Sequence, residues 1–213
     1  EYLLYGGLPQ VVIESDEKKK VEYLKQQFTH TYLKDIRERY GIQHDDDLNE
    51  LVSIIASTVG SMTNPTNLAN TFKSEKKSRI SRDTIAKYLE CMEDAFMIER
   101  SVRYDIRGKR YIDTPYKYYF GDIGLRNARI NFRQNDDGHL MENMLYNELR
   151  ILGYSVDVGQ VITEQKDAEG NRKRVTFEVD FVCNRGYNRV YIQSAYEMGN
   201  ADKVRQEINS LKR

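Results

Sequence analysis

The spacing of apolar residues first changes at Ile98, and the appearance of a second period decides the fold class. From Val21 to Met92 apolar side chains return every three or four positions, the repeat of a helix that buries one face. From Ile98 onward they begin to alternate, the repeat of a strand. A chain of 213 residues that switches period in this way folds as α+β, with enough length for two cores.

The helical segments carry their own boundaries. Val21, Leu24, Phe28, Tyr32 and Ile36 share one face of a long helix that starts at Asp16-Glu17 and stops at Gly41. Asp45-Asp46-Asp47 caps a second helix with Leu48, Leu51, Ile54, Ile55 and Val59 inward. Asn64-Pro65 opens a third, with Leu68 and Phe72 inward. Ser81 caps a fourth, with Ile85, Tyr88, Leu89, Met92 and Phe96 on one face. Ile98–Ile106, a turn at Gly108-Lys109 and Tyr111-Ile112 then read as a β-hairpin. Three helices followed by a hairpin is the order of a winged helix, with 81–96 in the place of its recognition helix.

The last block predicts a helix from Gly138 to Leu152 with Leu140, Met144, Leu145, Leu149 and Leu152 apolar, ended by Gly153. Strands follow over Tyr154–Val158, Val175–Val182 and Arg189–Ser194, then a helix over Ala201–Lys212. The expected division is a helical lead-in over 1–62, a winged-helix domain over 63–125 and a small α/β domain with a mixed sheet over 126–213.

Composition narrows the function classes. The chain holds 33 basic and 33 acidic residues, so it has no overall field to draw nucleic acid or an anionic membrane. The charge is uneven, though: net −4 over residues 1–64, +3 over 65–125 and +1 over 126–213. No apolar run is long enough to span a membrane, and the expected partners include no membrane. Two cysteines, Cys91 and Cys183, fit a reducing cytoplasm rather than a disulfide scaffold. The chain begins at Glu1 rather than Met and reads as a piece of a longer protein.

Motif searches are mostly negative. Neither a phosphate-binding G-x-x-x-x-G-K-[ST] loop nor any G-x-G is present, so no cofactor is expected on this stretch itself. His30, His44 and His139 lack metal-ligand spacing. One constellation remains. Glu142 lies on the predicted helix, Glu178 and Asp180 lie two apart within the apolar strand Phe177–Val182, and Gln193 and Ala195 lie two apart at the end of the next. Carboxylates inside an apolar strand are costly unless paired, capped or bound to a metal, and Mg²⁺ prefers such oxygen ligands.

These residues resemble the PD-(D/E)xK nuclease superfamily, a restriction-endonuclease-like fold. Glu142 stands at its helical acid, Asp180 at its strand acid and Gln193-Ser194-Ala195 at its (E/Q)-x-K. The resemblance implies Glu142, Asp180 and Gln193 as catalytic positions, with Mg²⁺ held by Glu142, Glu178 and Asp180. Ala195 replaces the catalytic Lys, so it also implies a degenerate domain. A longer resemblance rests on Tyr5-Gly6-Gly7-Leu8-Pro9, Tyr119-Phe120-Gly121-Asp122-Ile123-Gly124-Leu125, Gly138-His139-Leu140-Met141-Glu142-Asn143, Glu178-Val179-Asp180-Phe181 and Tyr191-Ile192-Gln193. In this order they are similar to the C-terminal (DUF4143) region of prokaryotic AAA+ superfamily ATPases. That implies an ATPase module in the missing part of the protein, with ATP and Mg²⁺ as its cofactors.

Three functions follow as expectations. The first is a regulatory or DNA-associating, non-catalytic module. Ser81, Arg82, Thr84 and Lys87 would contact a duplex with hairpin residues Arg107, Lys109 and Arg110, and Lys73, Lys76, Lys77 and Arg79 would flank them on phosphates. The second is an Mg²⁺-dependent nuclease acting on DNA. The third is a platform for protein partners using the 16 tyrosines, among them Tyr116, Tyr118 and Tyr119.

Overall fold

The computed structural model describes residues 1–42, 45–76, 80–133, 136–166 and 171–195. The predicted helix over 201–212 lies outside them. The chain forms two compact units. One comprises Glu1–Arg100 and Lys117–Met144, the other Ser101–Tyr116 and Leu145–Arg213. The division therefore runs through both strands of the hairpin and through the helix that carries Met144 and Leu145.

The first unit is helical. It holds α1 (Tyr2–Tyr5), α2 (Pro9–Ile13), α3 (Glu17–Gln26), α4 (Lys34–Tyr40), α5 (Asp45–Ser57), α6 (Pro65–Thr71), α7 (Arg82–Asp94) and α8 (Ile123–Arg129). The caps fall where the side chains dictate. Asp16 accepts from the backbone N–H of Lys18 and Lys19, Asn64 from that of Asn67, and Ser81 from that of Thr84. Gly41 ends α4 in the left-handed region, at φ 61°. A π-helical stretch, Gln27–Leu33, joins α3 to α4, a local widening that spacing alone does not reveal. Leu24, Phe28, Ile36, Leu48, Leu51, Ile55, Phe72, Ile85 and Leu89 are almost fully buried. Phe96 departs from its expected inward place. It follows the end of α7 with φ 54° and is 83% exposed.

Two glycine-bearing motifs that are distant in sequence meet in this unit. The Asp122 carboxylate caps α8 through the N–H of Leu125 at 2.9 Å and also accepts from the N–H of Gly7 at 2.8 Å. A Cβ on Gly6 would lie 2.3 Å from Asp122 Oδ1, and one on Gly124 would lie 2.0 Å from the carbonyl oxygen of Tyr5. Both sites require glycine for this close approach. Nearby, Asn127 donates to the carbonyls of Leu3 and Leu4, and buried Arg126 donates to that of Ala56. Burial pushes the Arg126 guanidinium down to about 10.

A five-stranded mixed sheet runs in the order β2-β1-β3-β4-β5. Its strands are β1 (Ile98–Asp105), β2 (Arg110–Phe120), β3 (Ser155–Lys166), β4 (Arg172–Arg185) and β5 (Asn188–Ile192). β1 pairs in parallel with β3, and β3, β4 and β5 pair antiparallel. The chain is thus α+β with a mixed sheet, as its periodicity requires. β2 and β3 extend well past the alternating runs that mark them in sequence, through charged and Pro-containing stretches. In the second unit Val156, Val158, Val161, Val179, Phe181, Val182 and Cys183 form the sheet's buried part. Gly159 sits at a register shift in β3, where a Cβ would press to 2.8 Å on Val179 and Val182. Helix α9 (Asp137–Ile151) contributes Tyr146 against Phe181, but Leu152 beyond its end is 56% exposed. The buried face of α9 includes Leu140, Glu142, Asn143 and Tyr146, so two of its inward residues are polar.

Candidate functional site

Among the predicted acids, Glu142 and Asp180 are buried, and Glu142 lies in a cluster of polar side chains. It belongs to the first unit, on α9, and its side chain is about one-tenth exposed. Lys117 Nζ, on β2, donates to its Oε1 at 2.9 Å, and Tyr119 Oη donates to the same oxygen at 2.5 Å. Strand alternation places Lys117 and Tyr119 on one side of β2, which is how two donors converge on one carboxylate. Next along α9, the Asn143 amide brackets the backbone of Phe120. Its Oδ1 accepts from the Phe120 N–H and its Nδ2 donates to the Phe120 carbonyl, both at 2.8 Å. A side chain thereby does for the end of β2 what a neighbouring strand would do. Lys117 was missed by motif reasoning, and Asn143 entered it only as the last residue of Gly138–Asn143. A lysine inside the aromatic run Tyr116–Phe120 is the same kind of signal as an acid inside an apolar strand.

Asp180, Glu178 and Gln193 belong to the second unit. Antiparallel pairing of Phe181 with Ile192 brings Asp180 opposite Gln193. Gln193 Oε1 accepts from the Asp180 N–H at 3.3 Å, and Asp180 Oδ2 accepts from the Ser194 N–H at 2.8 Å. Asp180 is 8% exposed, whereas Glu178 is exposed. Two of the nuclease-like positions therefore meet, and Ala195 follows them with no ionisable group. Among the described residues no group of three or more His, Cys, Asp or Glu side chains is arranged to hold a metal ion. Magnesium takes open, water-reachable oxygens. Here Glu142 is already bonded by a cation and a phenol, and Asp180 by a backbone amide.

The basic candidates divide between the units. In the first, α7 buries Ile85, Tyr88, Leu89 and Met92 and leaves Arg82 and Lys87 exposed, together with the acids Asp83 and Glu90. The hydroxyls of Ser81 and Thr84 bond each other at 2.8 Å while Ser81 caps the helix, so both are spent locally. Lys73 is exposed. Lys77, Arg79 and the side chain of Lys76 lie outside the described residues. In the second unit Arg107, Lys109 and Arg110 are exposed around the hairpin turn, and Arg110 reaches Asp105 at 3.7 Å. The tyrosine run does not form a surface, because Tyr118 and Tyr119 are buried. No helix among the described residues is long and apolar enough to cross a membrane.

Residues 1–136 match the family described as domain of unknown function DUF8612. The chain is 35% identical over 198 residues to an uncharacterized protein of Haemophilus influenzae, covering 93% of the chain and 46% of that protein. It is 28% identical over 206 residues to an uncharacterized protein of Methanocaldococcus jannaschii, covering 97% of the chain and 43% of that protein. The chain thus spans about half the length of these curated relatives. No solved structure matches it.

Proposed function

This chain belongs to the DUF8612 family, and we propose that it acts as a duplex-DNA-associating, non-catalytic module of a larger AAA+-type ATPase. The observation that carries the proposal is the outward basic pair of α7, Arg82 and Lys87, on a helix anchored by its opposite apolar face and followed directly by a hairpin with a basic turn. Helix, helix, helix and hairpin is the winged-helix order, and in that fold such a helix meets the major groove. The non-catalytic half rests on the acids. Glu142 and Asp180 serve as acceptors within their own units, and Ala195 stands where a lysine would orient water and steady charge on a scissile phosphate. The ATPase module, with its ATP and Mg²⁺, would lie in the half of the relatives' length outside the aligned span.

Five cations are candidates for phosphate contacts, Arg82 and Lys87 in the first unit and Arg107, Lys109 and Arg110 in the second. Engagement of all five would give a salt slope of about −4.5, hence a loss of affinity of about 500-fold between 50 and 200 mM salt. Gel mobility shift of a 20-bp duplex across that range tests the reading. Binding at 50 mM that collapses at 200 mM and is lost in R82E/K87E supports it. Absence of any binding at 50 mM overturns it.

A further inference from the structure

β5 forms one side of the sheet, and its residues do little to keep a further strand away. Among the described residues no strand lies beyond it, and all of its side chains except that of Ile192 are exposed. Monomers guard such edges with Lys, Pro, a bulge or a covering element. The opposite edge follows that rule: β2 holds Pro115, and Asn143 occupies the backbone of Phe120. β5 has no Lys, no Pro and no acid. Its one charge, Arg189, is turned back onto its own sheet, where Nε donates to Asn184 Oδ1 at 2.7 Å and Nη1 to Tyr104 Oη at 3.3 Å. The guanidinium also lies over the Tyr104 ring, 5.0 Å from its centroid. Val190 and Tyr191 remain 43% and 41% exposed.

The turn before β5 fixes which backbone groups face outward. Arg185 pairs with Asn188, so Gly186 and Tyr187 form a two-residue connection, with Gly186 at φ 59°. A turn of this kind closes on a hydrogen-bonded pair. Bonded and unbonded pairs then alternate along the ladder. Asn188, Val190 and Ile192 therefore bond to β4, while the N–H and C=O of Arg189 and Tyr191 point away from it.

That pattern is self-complementary. When Val190 faces Val190 of a second copy across a twofold axis, Arg189 of each copy falls opposite Tyr191 of the other. Both are outward residues, so each such pair exchanges two N–H···O=C bonds. The two valines meet on one face, with Cα atoms about 4.5 Å apart, and Arg189 and Tyr191 share the other face. The two Arg189 side chains stand diagonally rather than opposite, and each has an acid of its own chain, Asp157, within electrostatic reach. With 33 basic and 33 acidic residues per chain, no net charge holds two copies apart.

We propose that β5 is a self-association edge, on which two copies of this chain pair antiparallel about a twofold axis at Val190 and continue one sheet into the other. A strand of this length spans about 16 Å, so the pairing covers less than the roughly 1,200 Å² of a standard interface, and the dimer is a weak one.

Sedimentation velocity of the intact chain from about 10 µM to about 1 mM tests it, the range in which a weak dimer forms. The expected result is a dimer fraction that rises across that range. Val190→Lys and Val190→Glu each set like charges directly opposite at the axis and leave the chain monomeric throughout. Mixed in equal amounts they set Lys against Glu, and the dimer returns, which loss of folding cannot imitate. Amide exchange read by mass spectrometry tests the unaltered chain: peptides covering Arg189 and Tyr191 gain protection at about 1 mM over about 10 µM. A parent chain that stays monomeric at the highest concentration overturns the proposal. So does a dimer that persists in both single variants, or a mixture that stays monomeric while both variants keep the parent's circular dichroism. Should either variant lose that signal, the exchange measurement decides alone, and a dimer that forms without protecting this edge overturns the proposal.

Discussion

Replacing Lys117 by Met should destabilise the first unit far more than replacing Lys117 and Glu142 together. The two side chains are 5% and 11% exposed, and the pair is closed at 2.9 Å with Tyr119 as second donor. Removing one member of a buried ion pair leaves an uncompensated charge, which costs about 3–5 kcal/mol. For a transition with a urea slope of about 2 kcal/mol/M, that moves the midpoint down by about 1.5–2.5 M. Replacing both groups by apolar residues of similar volume, as in K117M/E142L, removes the stranded charge and returns most of the loss. Tyr119 Oη then loses its acceptor, so about 1 kcal/mol of the deficit should remain. The chain has no Trp and 16 Tyr, so urea unfolding is followed by far-UV circular dichroism with tyrosine near-UV signals as the second probe. A K117M midpoint within 0.5 M of the parent would refute the reasoning. So would a double variant no more stable than the single, because the interaction between the two groups would then be absent.

Other consequences are as specific. Asn143→Ala removes both bonds that bracket Phe120, a loss of about 1–3 kcal/mol in urea unfolding; a change under about 0.5 kcal/mol would contradict the bracket. Burial holds the Asp157 carboxyl above its usual value despite the Tyr111 hydroxyl, so its charged form is the less favoured one in the fold. The stability it contributes is present while it is protonated and is lost as pH rises through the folded value. Asp157→Asn should therefore be at least as stable as the parent at pH 8, with the advantage shrinking toward pH 4; a deficit above about 1 kcal/mol at pH 8 would count against this. Gly6→Ala should destabilise because the added Cβ meets the Asp122 carboxylate at a positive φ, and thermal unfolding reads the shift directly.

Much of the helical unit is readable from local chemistry. Asp16, Asn64 and Ser81 each cap the helix they precede, because capping depends on the residue and its next three neighbours. What local chemistry cannot supply is the second partner of a long-range contact. Glu142 reads as a metal or catalytic acid in sequence, since nothing near it announces that Lys117 and Tyr119 return to its oxygen. The meeting of Asp180 with Gln193 was legible, because strand alternation and antiparallel pairing fix it. Phe96 was misplaced because it lies just past a helix end, where the helical repeat no longer governs direction.

Salt-dependent duplex binding, with the recovered DNA checked for cleavage after incubation in Mg²⁺, bears most directly on a DNA-associating, non-catalytic module. The expected result is binding at 50 mM salt that falls by about 500-fold at 200 mM and returns the duplex intact. No binding at 50 mM, or Mg²⁺-dependent cleavage that disappears in Asp180→Asn, would contradict it.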